Sequence, residues 1–214
     1  MRNLISILCI MVLIPLNLIS QTTIRNGVVE DRRAGEIIST LNATLSKEYP
    51  VSLDYSVSSK EDSFTMKGSL TINKEKYYGT YDKDEIYSNG VSVWIYQREV
   101  NEVTINNASE VDNEVLNISK FLADAKIKFR PKLIREEAGN HIIDLIPRTK
   151  SQFSKIRIYA SKSTNRLTKI EVSYHKGDKF IYKISNYKPK VQVKDSDFSF
   201  NPNKFPGVVI VDLR

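Results

Sequence analysis

The chain has 214 residues, a formal net charge of +7, 41% hydrophobic residues and a single cysteine. That length suits one good-sized domain whose core needs no covalent staples, and one cysteine excludes an intrachain disulfide framework and a Cys-based zinc site. The lysines are scattered along the chain instead of gathered in runs, which argues against nucleic acid, while a basic balance favours anionic surfaces such as phospholipid head groups or acidic proteins.

Met1 to Ser20 has the three-part layout of an export signal. Arg2 supplies the positive start, Leu4 to Leu16 is almost unbroken hydrocarbon, and small Ser20 precedes polar Gln21-Thr22-Thr23. The apolar run is short for a bilayer span and contains Pro15. The expectation is cleavage after Ser20, which removes Cys9 and takes the charge from +7 to +6 because Arg2 leaves. Residues 21–214 then form a single exported domain, since no linker, repeat or low-complexity tract divides them.

Ala34 to Lys47 reads as a helix, with Ile37, Ile38, Leu41 and Leu45 on one stripe, stopped by Tyr49-Pro50. The pattern then changes to period two. Val51, Leu53, Tyr55 and Val57 alternate with polar residues, and so do Phe64, Met66, Gly68, Leu70 and Ile72, which predicts two antiparallel strands around the turn Lys60-Glu61-Asp62. Short strands follow at Lys76–Tyr81 and Glu85–Tyr87. Asn89-Gly90 is the strongest hairpin signal and leads into a strand at Val91–Tyr96, then another at Val100–Ile105. Asp112 to Ala125 breaks the β pattern, with Val115, Ile118, Phe121 and Leu122 at helical spacing. Strands resume at Ile127–Phe129, His141–Pro147, Lys155–Ala160, Leu167–Tyr174 and Phe180–Tyr187. Many strands in one meander with two helices predict a mainly β (α+β) fold: a large curved antiparallel sheet or incomplete barrel, with the helices capping one mouth.

Several strands are apolar on both faces, as Val91-Val93-Ile95 against Trp94-Tyr96 shows. One face can pack under the helices, and the other then needs its own hydrophobic partner. A sheet interior rich in Tyr, Phe, Trp and Met suits a cavity for an apolar ligand, and periodicity leaves a fully filled core equally open. Chemistry is not nominated anywhere. The two histidines, His141 and His175, lack metal-ligand spacing, and there is no G-x-S-x-G elbow or Gly-rich phosphate loop, so neither a catalytic residue, a metal nor a cofactor is expected.

Three motifs in order resemble one family. Gly68-Ser69-Leu70-Thr71-Ile72, Asn89-Gly90 with Val93-Trp94-Ile95-Tyr96, and Phe198-Ser199-Phe200-Asn201-Pro202 with Gly207-Val208 are similar to the strand, hairpin and C-terminal stretch of the periplasmic outer-membrane lipoprotein carriers, the LolA family. The resemblance implies an unclosed antiparallel β-barrel with a helical lid over a hydrophobic cavity. It implies a monomeric periplasmic chaperone that takes triacylated lipoproteins from the inner-membrane lipoprotein-releasing ABC transporter and hands them to an outer-membrane acceptor. On that reading Leu53, Tyr55, Phe64, Met66, Leu70, Ile72, Trp94 and Tyr96 line the lipid-binding cavity, and Ile37, Leu41, Leu45, Ile118, Phe121 and Leu122 form the lid face. Lys74 stands where members carry an arginine that holds the lid closed, and Thr71 where they often carry tryptophan; lysine lacks the planar fork, so Lys74 would make a weaker lid contact. A lipid-sensing regulator, or a carrier of another lipid, on the same fold is the competing reading.

Overall fold

A computed structural model describes the backbone of residues 22–25 and 28–29, and residues 30–59, 64–111 and 117–214 in full. The expected signal segment, the turn at Lys60-Glu61-Asp62 and the helix start at Asp112–Leu116, with Val115, lie outside the described residues. A two-stranded hairpin, β1 (Thr22–Arg25) and β2 (Val28–Asp31), precedes helix α1 (Arg32–Glu48). The meander follows as β3 (Val51–Ser59), β4 (Thr65–Asn73), β5 (Lys76–Tyr81), β6 (Asp84–Ser88), β7 (Ser92–Gln97) and β8 (Glu102–Asn107). After helix α2 (Ile118–Lys128) come β9 (Phe129–Glu137), β10 (Asn140–Pro147), β11 (Phe153–Ser161), β12 (Leu167–Tyr174) and β13 (Lys179–Pro189), then short β14 (Val209–Asp212). β3 to β14 form one 12-stranded sheet in the order β14-β8-β7-β6-β5-β4-β3-β13-β12-β11-β10-β9, which does not close.

The alternation read from the sequence sets the two faces. In β3, Val51, Leu53, Tyr55 and Val57 are buried and stand opposite Ile72, Leu70, Gly68 and Met66 of β4. Both helices pack on this inner face. Ile38, Leu41 and Leu45 of α1 share one buried cluster with Ile118, Phe121, Leu122 and Ala125 of α2 and with Ile143, Leu145, Ile156, Ile158 and Ile170 of the sheet. Full burial of each large side chain contributes roughly 1.5–3 kcal/mol, so the cluster dominates the fold's stability. Asp31 caps α1 by accepting from Ala34 N at 3.0 Å, and its other carboxylate oxygen accepts from Leu133 N of β9 at 2.8 Å, which ties the helix start to the sheet edge.

The outer face is of two kinds. Over β10–β12 it is charged: Arg157 makes two hydrogen bonds to Asp144 at 2.6 and 3.0 Å, while Lys169 and Lys179 flank Glu171 at 2.9 and 2.8 Å. Over β5–β8 it is aromatic. The C-terminal segment crosses there, with Phe198 edge-on to Tyr78 at 5.5 Å and Phe200 stacked on Phe205 at 4.7 Å beside Tyr96.

One expectation is corrected, and two elements were not expected. Ile127 lies in the last turn of α2 instead of opening a strand, and β9 runs from Phe129 to Glu137; most of its exposed residues are charged, as suits an edge strand, and that hides the alternation. The hairpin β1–β2 was not foreseen. Nor was β14, which pairs in parallel with β8 from the far end of the chain.

Candidate lipid-binding site

The space between helices and inner face is largely filled. What remains under α1 is a cavity of about 20 Å³ among Leu41, Leu45, Leu53, Ile72, Ile118 and Leu122, too small for an acyl chain. A second space is larger. A cleft of about 470 Å³ runs along the flank of α2, walled by Tyr77, Val93, Ala108, Val111, Phe121 and Phe129. That volume falls in the range of about 300–1,000 Å³ usual for small-molecule sites. Phe121 and Phe129 meet edge-on at 6.3 Å and form its apolar floor. Burial pushes the Tyr77 phenol up to about 12, although a hydrogen bond with Ser88 works the other way, so it stays a neutral wall. Charges stay at the rim: Asp124 sits between Lys120 at 3.4 Å and Lys128 at 3.8 Å. Such a cleft can hold a hydrocarbon tail and leave a polar head at the surface.

The helices are fastened at identifiable points. Glu48, the last residue of α1, accepts three hydrogen bonds from Arg166 and one from the Tyr187 hydroxyl at 2.6 Å. Tyr49 hydrogen-bonds Ser119, joining the end of α1 to the start of α2, and Lys126 donates to Ser39 at 2.8 Å. Arg148 wraps the end of α2, donating to the Phe129 carbonyl at 2.9 Å and to Glu30 at 2.6 Å.

Lys74 is exposed at the left-handed position of the β4–β5 turn, with φ 59°, and among the described residues no hydrogen bond or ion pair joins it to a helix. Of the proposed lid residues, Leu41, Leu45, Ile118, Phe121 and Leu122 lie in the buried inner cluster and Ile37 packs against it. Leu53, Tyr55, Leu70 and Ile72 are buried on the inner face, Met66 stands opposite Val57 there, and Phe64 lies 6.1 Å from Phe180. Trp94 and Tyr96 are the exceptions. They point outward, into the cluster of Tyr87, Phe200, Phe205 and Val103, because residues alternate across a strand and Val93 and Ile95 take the inner side. None of the eight cavity candidates lines the larger cleft. Its walls include Phe121, one of the expected lid residues, with Val93 of the hairpin motif and Tyr77 and Phe129, which the sequence placed only within strands.

Residues 45–201 match the family model for the outer membrane lipoprotein carrier protein LolA. The chain belongs to the LolA family. Its fold is similar to that of an uncharacterized conserved protein from Thermus thermophilus, at 14% identity and TM-score 0.57, over 85% of this chain and 99% of that one. A putative outer membrane lipoprotein-sorting protein domain from Vibrio parahaemolyticus is 13% identical over 80% of this chain and 99% of its own, with TM-score 0.45. In the Pseudomonas aeruginosa MucA/MucB complex the matched chain is 9% identical over 79% of this chain and 61% of its own, with TM-score 0.46. No curated protein sequence matches the chain. The stretch matched to the LolA family includes Gly68 and closes at Asn201, just after Phe198 and Phe200, so it contains both the strand under Tyr55 and the start of the aromatic cover. β14 lies beyond it.

Proposed function

We propose that this protein carries the acyl chains of lipoproteins across the periplasm, accepting them from an inner-membrane ABC transporter and delivering them to an acceptor at the outer membrane. The observation that carries the reading is the apolar cleft beside α2, within a family of lipoprotein carriers. An exported chain is in keeping with the apolar segment Met1–Ser20. The task demands burial, because each methylene left in water costs about 0.8 kcal/mol and an acyl chain has many. Loading extends the cleft under α2: acyl carbon replaces the contacts that Phe121, Leu122 and Ile118 make in the closed state, so the apolar surface stays covered as the helix moves aside. The protein works by binding and release, with no covalent step.

Native mass spectrometry of the exported protein tests this. The expected result is a co-purifying acylated protein, and uptake of a triacylated lipopeptide by the emptied protein. Protein that emerges without acylated cargo and also fails to take up the lipopeptide would sink the proposal. Retention of free lipid that cannot be passed on would move the reading to a lipid sensor.

A further inference from the structure

Exposed apolar side chains follow one edge of the sheet. Val209 and Ile210 on β14 and Leu213 just after it are 53–59% exposed, and Val91 and Val100, in the turns at the two ends of β7, are 73% and 63% exposed. β14 is also the outermost strand there. Val209 N donates to Asn101 O and Leu213 N to Ile105 O, both at 2.9 Å, so these residues bond inward to β8. Alternate residues of a parallel strand bond to opposite sides. Ile210 and Asp212 therefore turn their N–H and C=O groups away from β8, and no described strand pairs with that side. Unpaired edges invite strand addition, and this one is flanked by apolar side chains that an incoming strand could cover.

The edge ends near the cleft. Leu213 N bonds Ile105 O, and β8 runs on from there through Asn107 to Ala108, which walls the cleft on the inner face, while the Arg214 guanidinium reaches Ser92 Oγ on the outer face at 3.1 Å. A polypeptide whose acyl chains fill the cleft would leave it past Ala108, round the sheet edge at Leu213 and run toward Val209. We infer that β14 binds the extended polypeptide following the acylated end of the cargo, as an added antiparallel strand held by the outward main-chain groups of Ile210 and Asp212. The occupant rests on the carrier reading above; the open edge does not. Main-chain pairing reads no particular sequence, which suits a carrier of many lipoproteins, and it distinguishes a lipoprotein from a free lipid.

Ile210→Pro tests the assignment, because it deletes one outward N–H, leaves the β8 ladder intact and suits an edge strand. Binding is measured for a triacylated lipopeptide with a ten-residue extended tail and for one with a two-residue tail. Wild type should bind the long form about tenfold more tightly, from a few added main-chain hydrogen bonds, and Ile210→Pro should erase that preference while holding the short form equally well. As a check independent of the variant's folding, wild type should lose the preference for a long lipopeptide carrying backbone N-methyl groups along its tail. Equal wild-type affinities, or a preference that survives both changes, would overturn the inference while leaving the carrier reading standing. Failure of both lipopeptides to bind would overturn the two together. A wild-type dimer that Ile210→Pro dissociates would assign the edge to a second copy of the chain instead.

Discussion

Arg166 grips Glu48 from two sides: its Nε reaches both carboxylate oxygens at 3.1 Å and its Nη2 donates to Oε1 at 2.6 Å. The guanidinium lies 4.4 Å from the Tyr187 ring centroid, and Tyr187 donates its hydroxyl to the same carboxylate. One charge cluster thus joins the end of α1 to the β11–β12 turn and to β13. The cluster lies at a different place from Lys74 and has the planar fork that lysine lacks. α1 is held at both ends, by Asp31 on β9 and Glu48 on Arg166, while α2, which flanks the cleft, is tied to α1 by Tyr49–Ser119 and Lys126–Ser39 and to β10 by Arg148. Under the proposed carrier function, α2 is the element that would move aside.

Arg166→Leu should leave a mostly buried carboxylate without its cation. The expected loss is about 1–3 kcal/mol of stability, read as a lower urea midpoint at neutral pH. A change under about 0.5 kcal/mol would mean that the cluster is a surface ornament with no hold on α1.

Glu171 should govern part of the acid limb. Burial pushes its carboxyl up, but hydrogen bonds from Lys179, Lys169 and Tyr159 outweigh that and hold it at about 2, below its ordinary 4.5. A depressed folded value means that the stabilisation is fully present above about 4.5 and is lost as pH falls from there toward about 2. Glu171→Gln should lower stability at pH 7 by on the order of 2 kcal/mol and flatten the loss between these limits. Glu48, held below its ordinary value by Arg166 and Tyr187 against the opposing effect of burial, adds to the same limb with the same sign. Parallel urea titrations of wild type and Glu171→Gln across this range decide it; parallel acid limbs would refute the assignment.

Gly68 explains why the strand motif begins with glycine. Tyr55 lies across it and donates its hydroxyl to the Thr80 carbonyl at 2.9 Å. A Cβ at position 68 would sit 2.2 Å from that carbonyl oxygen and 2.6 Å from the Tyr55 ring. The backbone contact cannot rotate away. Gly68→Ala should cost about 1–3 kcal/mol, more than the roughly 0.5–1.5 kcal/mol expected for Tyr55→Phe, which loses only the hydrogen bond. Thermal midpoints in the reverse order would mean that the strands part easily here.

The helical stripe of α1 and the alternation of β3 and β4 were legible because each buries one side against a neighbour close in sequence. Trp94 and Tyr96 were misread for the opposite reason. Period two shows that Val93 and Trp94 face opposite ways, not which layer each meets, and the layer over Trp94 is Phe200 and Phe205, about a hundred residues downstream. The same distance hid β14, whose partner β8 lies as far back along the chain. The cleft depends on where α2 settles beside Tyr77 and Val93, a tertiary fact with no local signal. The apolar outward face of β7 did state that a second partner existed, without naming it.

The position of Trp94 makes an optical test of the site possible. It packs among Tyr96, Phe200 and Phe205 on the outer face, away from the cleft, and is the only tryptophan in the chain. Acyl ligand entering beside α2 should therefore leave wild-type emission unchanged. Phe121 lines the cleft floor, so Phe121→Trp combined with Trp94→Phe moves the reporter to the site, at about 1–3 kcal/mol for the extra ring volume. Titrating this variant with a long-chain acyl ligand should shift its emission, as the indole exchanges its contact with Phe129 for hydrocarbon and water leaves the rim. A wild-type shift beside a silent variant would place the ligand under the C-terminal aromatic cover, and α2 would then be a fixed brace and not a gate.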